Sequence, residues 1–338
     1  MRPHSLGGTV QHVILIACVT AITGCGTESV EGPPVATGAS PSVPPSPSQD
    51  EDTTATATPP PGLPGGLLMF SRFDENTHTF LSTHLIRPNG TQEVEIELPG
   101  PEGGGRWSHD GSRIAVMTVL EDQRIGTAII KPDGTVDRVL DIPDPTLSLV
   151  CTVWSPDDQR LACEGFDDSD STRNGILTVR ASDGGDLKRL TSAPEGMNDL
   201  PGDYAPDGRQ IVFMRTTGEA PGLMMLIDAA GGRPRPLSDD NYGDPGRFAP
   251  DGRSILTSAG HRLVTVDLEG QVLGTIEDAG SFLFGPVWSP DGRWIAYSRS
   301  TGGFVADVWV SRPDGRDAWR VTETAANEIV VEWGSGTD

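Results

Sequence analysis

Four histidines lie beyond residue 25, His78, His84, His109 and His261. Metal-assisted and general-base chemistry both draw on imidazole, yet none of these stands in a His-Glu-x-x-His spacing that would set two rings on one helix face. The chain also has no Gly-x-Ser-x-Gly nucleophile elbow and no Gly-x-x-x-x-Gly-Lys phosphate loop. No catalytic residue is assigned. His109 occupies a turn position and His261 follows a glycine in a short loop, which suits solvated turn residues. The run Asp167-Asp168-Ser169-Asp170-Ser171 alternates carboxylates as a calcium loop does, but it lacks that loop's glycine and distal glutamate. Asp168 and Asp170 are therefore weak calcium candidates; no other metal and no cofactor is expected. Cys151 and Cys163 are symmetric about residue 157 and would face each other in an unbulged hairpin, so a cross-strand disulfide is expected. Two buried free thiols are the alternative.

The N-terminus precedes any fold argument. Met1-Arg2 leads into the apolar stretch Val13–Ile22 and then Thr23-Gly24-Cys25, the charge, core and small-residue pattern of an export signal. The ending Ile22-Thr23-Gly24-Cys25 resembles the lipobox of bacterial lipoproteins. That resemblance implies removal of residues 1–24 and a diacylglyceryl group on the Cys25 sulfur, two chains being enough for stable attachment. A plain secretory signal or a single-pass anchor is the alternative. Residues 25–64 are then the lipidated cysteine and a Thr/Ser/Pro-rich tether with almost nothing large to bury, which should stay extended and solvated.

The chain has 338 residues, of which 42 are Gly and 29 Pro, and 36% are hydrophobic; that disfavours a helical bundle or a polytopic membrane protein. A formal charge of −23, carried mainly by residues 65–338, argues against the basic footprint of a nucleic-acid binder. The membrane is expected to be reached through the N-terminal lipid alone.

The elements that must position any site come from a repeat. Trp107-Ser108-His109-Asp110-Gly111, Trp154-Ser155-Pro156-Asp157-Asp158, Tyr204-Ala205-Pro206-Asp207-Gly208, Phe248-Ala249-Pro250-Asp251-Gly252 and Trp288-Ser289-Pro290-Asp291-Gly292 recur at the length of one four-stranded propeller blade. Proline presets φ at the first turn position, Asp caps the turn, and Gly supplies the positive φ that closes it. A short apolar strand follows each turn. Residues 66–98 supply three strands with no first, and residues 329–334 supply a first strand with no second. Joined, they complete a sixth blade and pair the terminal edges. The expected fold is all-β: a six-bladed propeller of four-stranded antiparallel blades over residues 65–338, closed by one C-terminal and three N-terminal strands.

These units resemble the WD-like repeats of the TolB-type six-bladed propeller over residues 66–338. His109 and Asp158 depart from the Pro and Gly of the pattern, and Tyr204 and Phe248 from its Trp. The resemblance implies the fold and leaves activity open.

In such a blade the first and third turns share one face, and the longer second loops and interblade links share the other. Variable loops on a rigid scaffold usually carry binding groups. The binding-face candidates are Asp199, Tyr242, Asp244, Phe282, Phe284, Phe304 and Glu328, aromatics among acids that would suit a protein or glycan partner. The alternative packs Phe282 and Phe284 into the blade. The resulting reading is a monomeric, lipid-anchored binding or scaffold protein, exported to the outer face of the cytoplasmic membrane or the cell envelope. A propeller enzyme, a metal-dependent hydrolase or lyase acting on an extracellular polymer, is the second reading.

Overall fold

The computed structural model describes residues 58–100, 104–217, 221–302 and 305–335. The export signal, Cys25, most of the tether and Phe304 lie outside the described residues. Strands are numbered in chain order. The N-terminal portion forms β1 (Leu67–Phe73), β2 (Phe80–Ile86) and β3 (Val94–Ile96). Four complete meanders precede the last: β4 (Gly105–Trp107), β5 (Ile114–Val119), β6 (Ile125–Ile130) and β7 (Val136–Val139); β8 (Ser148–Trp154), β9 (Arg160–Phe166), β10 (Gly175–Arg180) and β11 (Lys188–Arg189); β12 (Asn198–Tyr204), β13 (Gln210–Thr216), β14 (Gly222–Asp228) and β15 (Arg235–Tyr242); β16 (Arg247–Phe248), β17 (Ser254–Ala259), β18 (Arg262–Asp267) and β19 (Val272–Ile276). The last is β20 (Phe282–Trp288), β21 (Ile295–Ser300), β22 (Ala306–Ser311) and β23 (Trp319–Arg320), after which β24 (Asn327–Gly334) ends the fold.

Six four-stranded sheets result, and the first has the order β24-β1-β2-β3. The ring is closed as the repeat arithmetic expects. We number this closing sheet blade 1 and the meanders blades 2 to 6. Apolar residues of neighbouring blades interdigitate, so the core is a ring of interblade layers rather than one central mass. Met69 and Leu85 of blade 1 meet Trp107 and Ile114 of blade 2, for example, and Leu68 and Phe70 meet Trp294 and Val308 of blade 6.

The chain joins the propeller before its first strand. Trp294 Nε1 donates to Gly62 O at 3.0 Å, Trp333 Nε1 donates to Gly65 O at 3.4 Å, and Leu63 packs on the layer between blades 6 and 1. The end of the proline-rich segment is thus held across the closing seam.

The disulfide Cys151–Cys163 is formed, but the hairpin around it is not regular. Trp154 pairs with Leu161 and Val153 with Ala162, and continuing that register would set Cys151 opposite Glu164. A bulge between Cys151 and Val153 shifts the pairing by one and brings Cys151 opposite Cys163. The expectation of an unbulged hairpin is therefore corrected. Inner-strand irregularities recur between Pro201 and Asp203, between Phe284 and Val287, and where β1 pairs β24, leaving Val331 unpaired.

The turns explain the two departures from the repeat. Gly208, Gly252 and Gly292 have φ near +70°, and a Cβ on each would approach the proline ring of the preceding blade's turn, Pro156, Pro206 and Pro250 respectively. In blade 3 the glycine position is Asp158, at φ 56°, and the residue it meets in blade 2 is His109. Asp158 accepts from the backbone N–H of His109 at 2.8 Å and of Asp110 at 3.0 Å. Proline at 109 would have no N–H to give, so the two departures complement each other.

Candidate functional site

Of the six residues that precede an inner-strand aromatic, the four charged ones line the axis end where the first turns gather and the two valines pack into interblade layers. Around the ring from blade 1 to blade 6 these residues are Glu332, Arg106, Val153, Asp203, Arg247 and Val287. An acid, an arginine and a valine thus occur twice in the same order. A depression of about 330 Å³ opens here, walled by Arg106, Arg247, Asp203 and Glu332 and rimmed by turn residues including His109, Pro156, Pro206, Pro250 and Pro290.

The two arginines cross the axis in the same way. Arg106 Nη1 of blade 2 donates to Gly202 O of blade 4, and Arg247 Nη2 of blade 5 donates to Val331 O of blade 1 at 3.2 Å. Both acceptors sit where the inner strand is irregular, which frees a carbonyl from the ladder. Glu332 Oε2 lies 3.1 Å from Arg247 Nη1 and 3.8 Å from Arg106 Nε, so one carboxylate serves two guanidinium groups. Asp203 Oδ2 accepts from Phe248 N at 3.0 Å. The backbone behind each arginine is fixed by a tryptophan of the next blade: Trp154 Nε1 donates to Arg106 O at 2.8 Å and Trp288 Nε1 to Arg247 O at 3.4 Å.

Burial dominates the electrostatics. It pulls Arg106 down to about 9, with the nearby Arg247 charge as the second cause. It also raises Asp203, against the lowering influence of Arg247 and Arg106. The site therefore holds two guanidinium groups close together beside two carboxylates, with burial working against the charged forms of Arg106 and Asp203.

The opposite face differs from expectation. Asp199 is fully buried, where Arg215 grips it through Nε at 2.7 Å and Nη2 at 2.8 Å and Thr191 Oγ1 donates at 2.6 Å. Glu328 is fully buried too, held by Arg72 Nε at 2.8 Å and Nη2 at 2.6 Å. Tyr242 is buried between blades 4 and 5 with its hydroxyl 3.0 Å from Ser238 Oγ. Phe284 is buried against Phe73, Ala306 and Ile329; Phe282 is half-buried beside the His261 ring. Asp244 is half-buried, accepts from Gly285 N at 3.2 Å, and is raised by burial. The expected set of exposed aromatics among acids is corrected accordingly, because internal arginines and the blade core take up most of it. Blade registers decide this, pairing Asp199 with Arg215 and Glu328 with Arg72.

Asp170 caps a short 3-10 turn (Ser171–Arg173), accepting from Thr172 N and Oγ1, while Asp168 is exposed. No three His, Cys, Asp or Glu side chains converge as a metal site among the described residues. His84 Nε2 lies 2.7 Å from Ser82 Oγ and its Nδ1 2.9 Å from Glu93, an order like that of a nucleophile relay. Arg72 stands 3.3 Å from the same Nε2 and also bonds Glu93 and Glu328, tying the group into one ion-pair network. Burial, then Arg72, lowers His84.

The four charged residues at the axis were absent from the sequence-based candidates. A signal for them exists: a charge directly before the aromatic of an inner strand, where the other blades have valine.

No family model matches the chain. An uncharacterised protein of Agrobacterium fabrum is 25% identical over 188 residues, 51% of this chain and 57% of its own length. An uncharacterised peptidase of Bacillus subtilis, YuxL, is 23% identical over 145 residues, 43% of this chain and 21% of its own. The chain thus spans about half of the first relative and about a fifth of the second. Among solved structures, TolB from Acinetobacter baumannii superposes with a TM-score of 0.54 at 16% identity, over 79% of this chain and 67% of that one. Kuenenia stuttgartiensis hydrazine synthase gives 0.58 at 12%, over 80% and 47%. An oligogalacturonate lyase in complex with manganese gives 0.52 at 16%, over 77% and 74%. At these identities the likeness is one of fold, a TolB-like six-bladed propeller.

Proposed function

We propose that the chain is an exported binding protein, lipid-anchored through Cys25 at the outer face of the cytoplasmic membrane or in the cell envelope, whose axial depression receives a protein partner. The observation that carries this reading is the axis itself. Two arginines sharing one carboxylate line a concavity on a rigid ring, and such convergent polar groups in a cleft are the usual mark of a recognition site. On the other face Asp199 and Glu328 are engaged by internal arginines and Tyr242 and Phe284 are buried, which moves the expected site from the long loops to the short turns. The signal sequence and lipobox-like ending support export and anchoring, and the tether gives the propeller reach from a membrane.

In-cell proximity labelling tests the proposal, with the labelling enzyme inserted in the tether between residues 40 and 50. Membrane-fraction recovery lost on Cys25→Ser, together with enrichment of particular envelope proteins over an anchor-only control, is the expected result. A chain that stays membrane-bound without Cys25 would overturn the anchor. Stoichiometric transition metal in the purified protein, with no enriched partner, would favour the hydrolase or lyase reading instead.

A further inference from the structure

The geometry points to a ligand for the depression: we propose that Arg106 and Arg247 receive the free α-carboxylate at the end of a peptide chain. This rests on the binding reading above and names the chemistry of its ligand. Both guanidinium groups present nitrogens to the axis after each has given one N–H to a backbone carbonyl across the ring. Glu332 is within ion-pair distance of both, 3.1 Å from one and 3.8 Å from the other, but its buried Oε2 accepts no hydrogen bond from either, so an incoming carboxylate would supply the charge-assisted hydrogen bonds that this acid does not. Trp107 adds a second, independent observation. It lines the depression, and its buried Nε1 has no acceptor among the described residues, whereas Trp154 and Trp288 each donate to a neighbouring blade.

The walls favour a peptide over an acidic sugar. A sugar ring binds best on an open aromatic face, but Trp107, Trp154, Tyr204, Phe248 and Trp333 are buried, and of the aromatics lining the depression Trp288 alone is half-exposed among the described residues. The rim offers proline rings instead, suited to apolar side chains. A volume of about 330 Å³ accommodates a chain end of one or two residues. A polyuronate would also meet the repulsion of a protein with a net charge of −23, whereas one terminal carboxylate meets mainly the local arginines.

Fluorescence polarisation with the purified full chain in detergent tests this. Two pools of N-terminally labelled random hexapeptides serve as probes, one ending in a free acid and one in an amide, with digalacturonate as a competitor. The acid pool is expected to bind at least about tenfold more tightly than the amide pool, as loss of a charged hydrogen-bonding partner implies. Arg106→Gln and Arg247→Gln should each abolish that preference, and Arg253→Gln, an exposed turn arginine on the same face, should leave it intact. Equal binding of both pools by the unaltered protein would overturn the inference, whatever the folding of the variants. So would a preference that survives both axial substitutions, or displacement of the acid pool by digalacturonate at matched carboxylate concentration. If the acid preference is missing while proximity labelling still finds a partner, the carboxylate falls and the binding reading stands. If both are missing, both fall.

Discussion

At the residue scale the fold is tuned by pairs that no single position reveals. His109 and Asp158 each break the repeat, and the break in one supplies the backbone donor that the other needs. His109→Pro alone should cost about 1–2 kcal/mol, because it removes a donor from the nearly buried Asp158 carboxylate. Adding Asp158→Gly to that variant should recover about 1 kcal/mol, since glycine accepts the positive φ and rests against proline as in the other blades. Urea unfolding of the two single variants and the double variant measures the coupling; strictly additive losses would show that the residues act independently. The same logic governs Asp199 with Arg215 and Glu328 with Arg72. In the sequence these acids look like surface charges, and strand register turns them inward.

At the element scale the recurring inner-strand irregularity does two kinds of work. In blade 3 it aligns Cys151 with Cys163, and in blades 1 and 4 it frees the carbonyls that hold the axial arginines. Replacing both cysteines with serine, or reducing the bond, should lower stability by about 2–3 kcal/mol, the range for a short closed loop. Denaturant midpoints with and without reductant test this, and an unchanged midpoint would count against any stabilising role for the bond. The hairpin and its disulfide were legible from the turn motif and the cysteine spacing. The bulge was not, because one extra residue in a strand leaves the alternating pattern almost unchanged over so short a run.

On the scale of the whole molecule, the ring closes through β24 and carries a three-blade repetition. Acid, arginine and valine occur twice around the axis. On the other side, Glu328–Arg72 over Phe70 in blade 1 mirrors Asp199–Arg215 over Phe213 in blade 4. Removing residues 325–338 should expose the β1 edge and the layer sealed by Ile329, Val330 and Trp333, all nearly inaccessible in the closed ring. Calorimetry is expected to show loss of the cooperative transition, and size-exclusion chromatography to show association through the open edge. A monomer that melts as the full chain does would mean that closure contributes little.

The sequence by itself determined the blade count, the turn chemistry, the seam and the cysteine pair, because each is a local pattern repeated at a fixed interval. Strand alternation and turn residues act over a few positions and survive being read in one dimension. Only the tertiary structure decided where the charges meet. Arg106 and Gly202 are 96 positions apart, and Arg247 and Val331 are 84 apart, yet each pair touches across the axis. Those contacts depend on ring closure and on single-residue shifts of register, and a register shift of one residue is what turns a surface acid into a buried partner.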